Sequence, residues 1–116
     1  MRDDKITNKE RLEHITKAIS DIENFLVEHS KETFLNNEIL INAVLFQFAI
    51  IGEAINHVDN DVLDKYQYTW YKVRSFRNFI VHEYHAIEFR IVWDTAKKDL
   101  PQLEKIIQEI LKNEFK

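Results

Sequence analysis

One glycine, Gly52, and one proline, Pro101, punctuate a chain of 116 residues. Tight turns and hairpins depend on these two residue types, so a chain almost without them, and 31% charged, favours long helices over strands. An all-α fold follows. The 45% hydrophobic content suits one domain spanning residues 1–116 around one core. Cysteine is absent, which excludes disulfides, thiolate metal sites, cysteine nucleophiles and thiol redox switching, and makes a reducing cytoplasm the expected setting. Residues 1–10 are polar and mixed in charge, without the apolar region of a signal peptide. The longest apolar stretch, residues 43–51, is interrupted by Gln47 and falls well short of the roughly 20 residues a membrane span needs, so no membrane association is expected.

Apolar periodicity then divides the chain. Thr7 with Glu10 three residues later forms a capping-box pattern, and Leu12, Ile15, Ile19, Ile22 and Leu26 recur at helical steps, predicting a first helix over residues 8–29. Ser30 begins a break, residues 31–35 suit one short turn of helix, and Asn36 and Asn37 offer a second cap. From Glu38 to Val58 apolar residues cover more than one stripe, with Phe46 and Ile50 on the remaining side, as in a helix buried centrally or at a subunit interface. Asp59, Asn60 and Asp61 mark a turn. Thr69 can then cap a third main helix whose core side is Trp70, Val73, Phe76 and Ile80. Residues 87–112 keep Ile91, Val92, Ala96, Leu100, Leu103, Ile107, Ile110 and Leu111 in phase across Pro101, which predicts one helix kinked at the proline. Four main helices with short connections make an antiparallel bundle of four to five helices the expected architecture.

Charge and chemistry concentrate in one segment. The net charge is −4, yet Lys65, Lys72, Arg74 and Arg77 stand against Glu83 alone between residues 65 and 85, a local net of +3 that suits a phosphate backbone. Within this segment Arg74, Arg77, Asn78, His82, Tyr84 and His85 interrupt the apolar pattern. Arg74, Asn78 and His82 are four apart and would share one stripe, with Arg77 about 60° away from Arg74, whereas Arg77 and His82 would diverge by about 140° on a continuous helix. The pair can act on one phosphate only if the helix ends between them or a second subunit brings its own pair alongside. The chemistry they suit is RNA transesterification. Histidine exchanges a proton near neutral pH, and arginine offers a planar fork of donors to the charge growing on a phosphorane. Such a scheme needs no metal or other cofactor. Spacing alone more often describes a surface cap and a satisfied histidine.

The run from Arg77 to Tyr84 resembles the signature of HepT toxins, an Arg, four residues, His, one residue and Tyr, within the wider HEPN ribonuclease superfamily. Ile51-Gly52-Glu53-Ala54, Trp70, Val92-Trp93 and Leu100-Pro101 are similar to that family too, so the likeness spans about residues 10 to 112. One departure is the absence of a proline from Tyr66-Gln67-Tyr68-Thr69 ahead of Trp70. The resemblance implies a HEPN-like bundle forming a homodimer, with the two motifs facing across the two-fold axis to make a composite RNA site. It makes Arg77 and His82 the catalytic pair, with Arg74 and Asn78 in support. It further implies a toxin–antitoxin pair in which a nucleotidyltransferase of the MntA type adds AMP to Tyr84, placing negative charge and bulk beside the pair.

Blander readings stand beside these. His82-Glu83-Tyr84-His85 spaces its histidines three apart, not the four a zincin helix needs, so no metal site is expected. Glu10 with His14 and Glu53 with His57 read as ordinary helix pairs, and Gly52 as a point of close helix packing. Trp70, Trp93, Phe76, Phe79 and Phe89 read as core before they read as base-stacking platforms. The competing function is a non-catalytic docking module that partners a nucleotidyltransferase. Such a module would have no need of an intact Arg77 and His82.

Overall fold

The computed structural model describes residues 6–115; the polar residues 1–5 lie outside the described residues. The described chain is helical without strands. Helix α1 (Asn8–Leu26) starts as its sequence requires. The Thr7 hydroxyl accepts from the Glu10 amide at 3.1 Å, and the Thr7 amide donates to the Glu10 carboxylate at 3.0 Å. These hydrogen bonds hold the Glu10 carboxyl below its ordinary range. α1 stops three residues short of the expected end, because Ser30 takes extended backbone to build a reciprocal cap with Thr33 for α2 (Lys31–Leu35). Asn37 then caps α3 (Glu38–Asn56) by accepting from the Leu40 amide at 3.0 Å.

Helix α3 is the centre of the molecule. It lies between α1 and α5 (Trp70–His82), and α1 packs in turn on α7 (Leu100–Glu114). Asn8 meets Asp59 just beyond the far end of α3, while Asn56 meets Arg74 and Gly52 meets Arg77, so α1 and α5 both run antiparallel to α3. By length and composition α3 could cross a membrane. Its two neighbours bury part of that apolar surface, Ile41, Val44, Phe48, Ile51 and Ile55, while Ile39 and Phe46 stay exposed, so α3 is not buried on nearly all sides within one copy of the chain. Every fully buried side chain among the described residues is apolar.

Two local expectations change between α3 and α5. The turn at residues 59–61 contains one turn of helix, α4 (Asn60–Leu63). Thr69 precedes α5 but its side chain makes no cap hydrogen bond, and its ψ of 61° departs from the extended backbone of the capping residues Thr7 and Ser30. The loop is instead pinned by the Trp70 indole, which donates to the carbonyls of Leu63 and Tyr66 at 3.1 Å each. The Tyr66 hydroxyl and Lys65 both reach Glu114 on α7. These ties form the loop without the proline its resemblance would supply.

The last long helix begins at Phe89, after a 3₁₀ turn (Tyr84–Ala86), and α6 (Phe89–Asp94) leads without interruption through a π turn (Thr95–Asp99) into α7. Pro101 has no amide to give the Lys97 carbonyl, and the preceding turn widens so that the Leu100 amide bonds five residues back to Thr95. The helix is therefore single, as its periodicity predicts, but the disturbance sits before the proline as an inserted residue. That insertion rotates the first turns relative to the rest. Ala96, Leu100, Leu103, Ile107 and Ile110 are buried, while Ile91 is 62% exposed.

Candidate active site on helix α5 and the turn after it

Gly52 decides where α5 lies. A Cβ built on it would come within 2.6 Å of the Arg77 backbone nitrogen and 3.1 Å of the Cβ atoms of Arg77 and Phe76. The two helices touch backbone to side-chain root at Arg77, which glycine alone permits. The close packing expected of this glycine is thus directed at the motif arginine. On the adjacent side of the contact, Phe48 and Phe76 meet edge to face at 5.2 Å between centroids.

From that fixed root the Arg77 side chain passes Glu53 of α3. Its Nε lies 3.3 Å from Glu53 Oε1, and its Nη1 donates to Asn78 Oδ1 at 3.3 Å. The other oxygen of the carboxylate, Oε2, pairs with His57 Nε2 at 2.9 Å. Glu53 and His57 do form the helix pair read from their spacing; Glu10 does not hydrogen-bond to His14, being committed to Thr7. The part of Glu53 as Arg77's partner was missed. Its signal lay in the residue before it, since a glycine that marks a close crossing places its neighbour at the rim of the same seam.

Arg74 donates to Asn60 Oδ1 at 2.6 Å, a neutral partner that leaves its charge uncompensated, and its carbonyl accepts from Asn56 at 3.2 Å. Asn78 is exposed. His82 is the last residue of α5, exposed to solvent, and the helix is regular up to and past it: the Glu83 amide bonds to the Phe79 carbonyl at 2.8 Å. Arg77 and His82 therefore leave one unbroken helix in directions about 140° apart. The structure brings Arg77, Asn78 and Glu53 together and does not bring His82 to them. Tyr84 opens the 3₁₀ turn with 71% of its surface exposed, its ring edge-on to that of His85. Among the described residues no three His, Asp or Glu side chains converge as metal ligands.

Among the grooves along α5, two adjoin the motif. One, of about 490 Å³, runs beside Arg77 between α1, α3 and α5, with Arg11, His14, Glu53 and Phe46 on its walls. The other, of about 240 Å³, is apolar and lies on the other side of Ile80, lined by Leu45, Phe76, Phe79, Ile87 and Ile91. Of the five aromatic residues weighed as stacking platforms, Trp70 is buried, Trp93 packs on Phe34 at 5.5 Å, and Phe76 packs on Phe48. Phe79 and Phe89 remain exposed.

The arrangement has known counterparts. Residues 15–110 match the family described as "Ribonuclease HepT-like". The chain belongs to the HepT-like ribonuclease family. It is 33% identical to the "Putative RNase TTE0752" of Caldanaerobacter subterraneus subsp. tengcongensis, over 93% of this chain and 97% of that protein. To the "Probable ribonuclease HepT" of Thermococcus cleftensis it is 32% identical, over 93% of this chain and 99% of that one. The "Putative RNase MJ0125" of Methanocaldococcus jannaschii shares 31% identity over 85% of this chain and 86% of its own length. No solved structure matches. Family membership is consistent with a ribonuclease and gives the crowded polar segment on α5 a chemical context.

Proposed function

We propose that this protein is a metal-independent endoribonuclease that cuts RNA by transesterification at a composite site formed by two copies of the chain, with Arg77 and His82 as the catalytic pair. The observation that carries this reading is the unbroken α5. Because the helix does not end between Arg77 and His82, the remaining way for both to act on one phosphate is the approach of a second motif. The surface around them is prepared for such an approach. No side chain between Val73 and Ala96 is buried, and Phe79, Val81, Phe89 and Ile91 are exposed there. A symmetric dimer covering this face would bring two arginines and two histidines to one cleft.

In that cleft a histidine takes the proton of the ribose 2′-hydroxyl, whose oxygen attacks the adjacent phosphorus. The bond from phosphorus to the 5′-oxygen breaks, a protonated histidine supplies the leaving oxygen with its proton, and a 2′,3′-cyclic phosphate remains. Arg77 stabilises the charge on the phosphorane. Arg74, its charge uncompensated by Asn60, supports the RNA backbone, and Asn78 steadies Arg77.

The same reading makes the protein a toxin of a type VII toxin–antitoxin system in the cytoplasm. An MntA-type nucleotidyltransferase neutralises it by transferring AMP from ATP to the Tyr84 hydroxyl, with pyrophosphate leaving. Tyr84 is exposed and two residues beyond His82, so an added phosphodiester would sit at the mouth of the cleft and repel the RNA.

The test is incubation of the purified protein with total RNA in EDTA, beside Arg77→Ala and His82→Ala, with the product ends examined. Cleavage by the wild type alone, leaving 2′,3′-cyclic phosphates, is the expected outcome. A dimeric, unmodified protein that cuts nothing across a broad RNA panel would instead leave the docking module as the better reading.

A further inference from the structure

We propose that Glu53 is the positioning residue of Arg77, turning its guanidinium so that the outer edge faces the RNA phosphate. This rests on the reading of Arg77 as the phosphate's partner. The two residues come from different helices and meet at the close crossing that Gly52 permits. Gly52 fixes the Arg77 backbone against α3, and Glu53, the next residue along α3, stands where the arginine side chain must pass.

The geometry of the contact selects an orientation. A guanidinium has five N–H groups on three nitrogens. Glu53 Oε1 takes the Nε side at 3.3 Å and Asn78 Oδ1 takes one donor of Nη1 at 3.3 Å. Among the described residues no other partner meets the guanidinium, so Nη2 and the second donor of Nη1 are left for a ligand. These two nitrogens form the edge that matches a phosphate bidentately. The carboxylate is itself oriented, because His57, one turn further along α3, holds Oε2 at 2.9 Å. A chain of contacts from His57 through Glu53 therefore sets the direction of Arg77.

The pair does little for the fold. Both side chains are close to half exposed, and ion pairs of that kind contribute little to stability. Its consequences for the reaction have opposite signs. Glu53 offsets part of the charge that Arg77 offers an incoming phosphate, which weakens initial RNA binding. It also spares the arginine a search among its rotamers, which favours the transition state. Removing the carboxylate should therefore lower kcat per folded molecule while leaving KM unchanged or reduced; the folded fraction is measured for each variant, because its loss alone would lower apparent kcat at unchanged KM.

The experiment is steady-state cleavage of a short RNA by the wild type, Glu53→Ala, Glu53→Gln, Arg77→Ala and the double variant Glu53→Ala with Arg77→Ala. Glu53→Ala is expected to lose about tenfold in kcat with no rise in KM, and Glu53→Gln, which keeps an acceptor for Nε, about threefold. The double variant should be no slower than Arg77→Ala alone, because the carboxylate then has nothing to orient. Wild-type kcat in both Glu53 variants, beside a dead Arg77→Ala, would overturn the positioning role and leave the catalytic reading intact. A raised KM with kcat unchanged would also overturn it, as would full additivity in the double variant. An Arg77→Ala enzyme as active as the wild type would remove the reading on which the inference rests.

Discussion

Helix α1 and the stretch from Arg74 to Thr95 carry similar apolar patterns, yet the protein treats them differently. α1 buries Leu12, Ile15, Ala18, Ile19, Ile22 and Leu26 almost completely against α3 and α7. Between Val73 and Ala96 no side chain is buried, although Phe76, Phe79, Ile80, Ile87, Ile91 and Val92 recur through it. Periodicity tells which face of a helix is apolar; it does not tell what covers that face. In α1 the cover is the rest of the chain. In α5 and α6 the cover is left open on the same surface that holds the polar motif, which is how a site that needs a second copy would look in one copy.

The strongest way to break this contrast is to ask whether Arg77 and His82 work across subunits. Each alanine variant alone should lose roughly 10²–10⁴ in cleavage rate without losing its fold, since neither side chain is buried. Co-expressed, the two variants should regain activity. If each site in a two-fold dimer draws Arg77 from one copy and His82 from the other, half the dimers are mixed and each has one intact site, or about a quarter of wild-type activity. Isolated mixed dimers that remain as inactive as either parent would mean that Arg77 of one copy and His82 of the other do not by themselves make a working site.

A second test sharpens the contrast through stability. Phe34 is fully buried against Trp93, and Phe34→Ala should cost about 3–5 kcal/mol in chemical denaturation. Ile91→Asp, on an exposed apolar position of α6, should change the stability of the folded monomer by less than about 0.5 kcal/mol while weakening self-association. Sedimentation at matched concentrations reads the second effect. An Ile91→Asp protein that unfolds like Phe34→Ala would show that α6 belongs to the core after all.

What the sequence reveals follows the same division. The starts of α1, α2 and α3 are legible because their caps are local: Thr7 with Glu10, Ser30 with Thr33, and Asn37 with the Leu40 amide all bond within three residues. That α5 runs unbroken from Arg77 to His82 is not legible from their spacing, which leaves open an end of the helix between them. The failed cap at Thr69 is not legible either, because the start of α5 is set by the Trp70 indole reaching Leu63 across the loop. The π turn escapes detection because apolar phase on either side of Pro101 hides an inserted residue. The tie from Glu53 to Arg77 joins residues 24 apart in sequence, and no periodicity in either helix encodes it.

Gly52 is where the sealed and open regions meet, and Gly52→Ala asks how rigidly one holds the other. On helix propensity alone the substitution should stabilise the protein by about 1 kcal/mol. Against that, the added Cβ would stand 2.6 Å from a backbone nitrogen, which no rotamer change can move aside. Forcing such helices apart typically costs about 1–3 kcal/mol, so a net loss of up to about 2 kcal/mol is expected from denaturation. Because the clash falls on Arg77, the shift of α5 should also carry the guanidinium away from Glu53. Activity should therefore fall further than the loss of folded protein explains. A rise in stability with undiminished cleavage would show that α5 slides freely along α3, and that the site tolerates the movement. The sealed half of the molecule would then not be what aims Arg77.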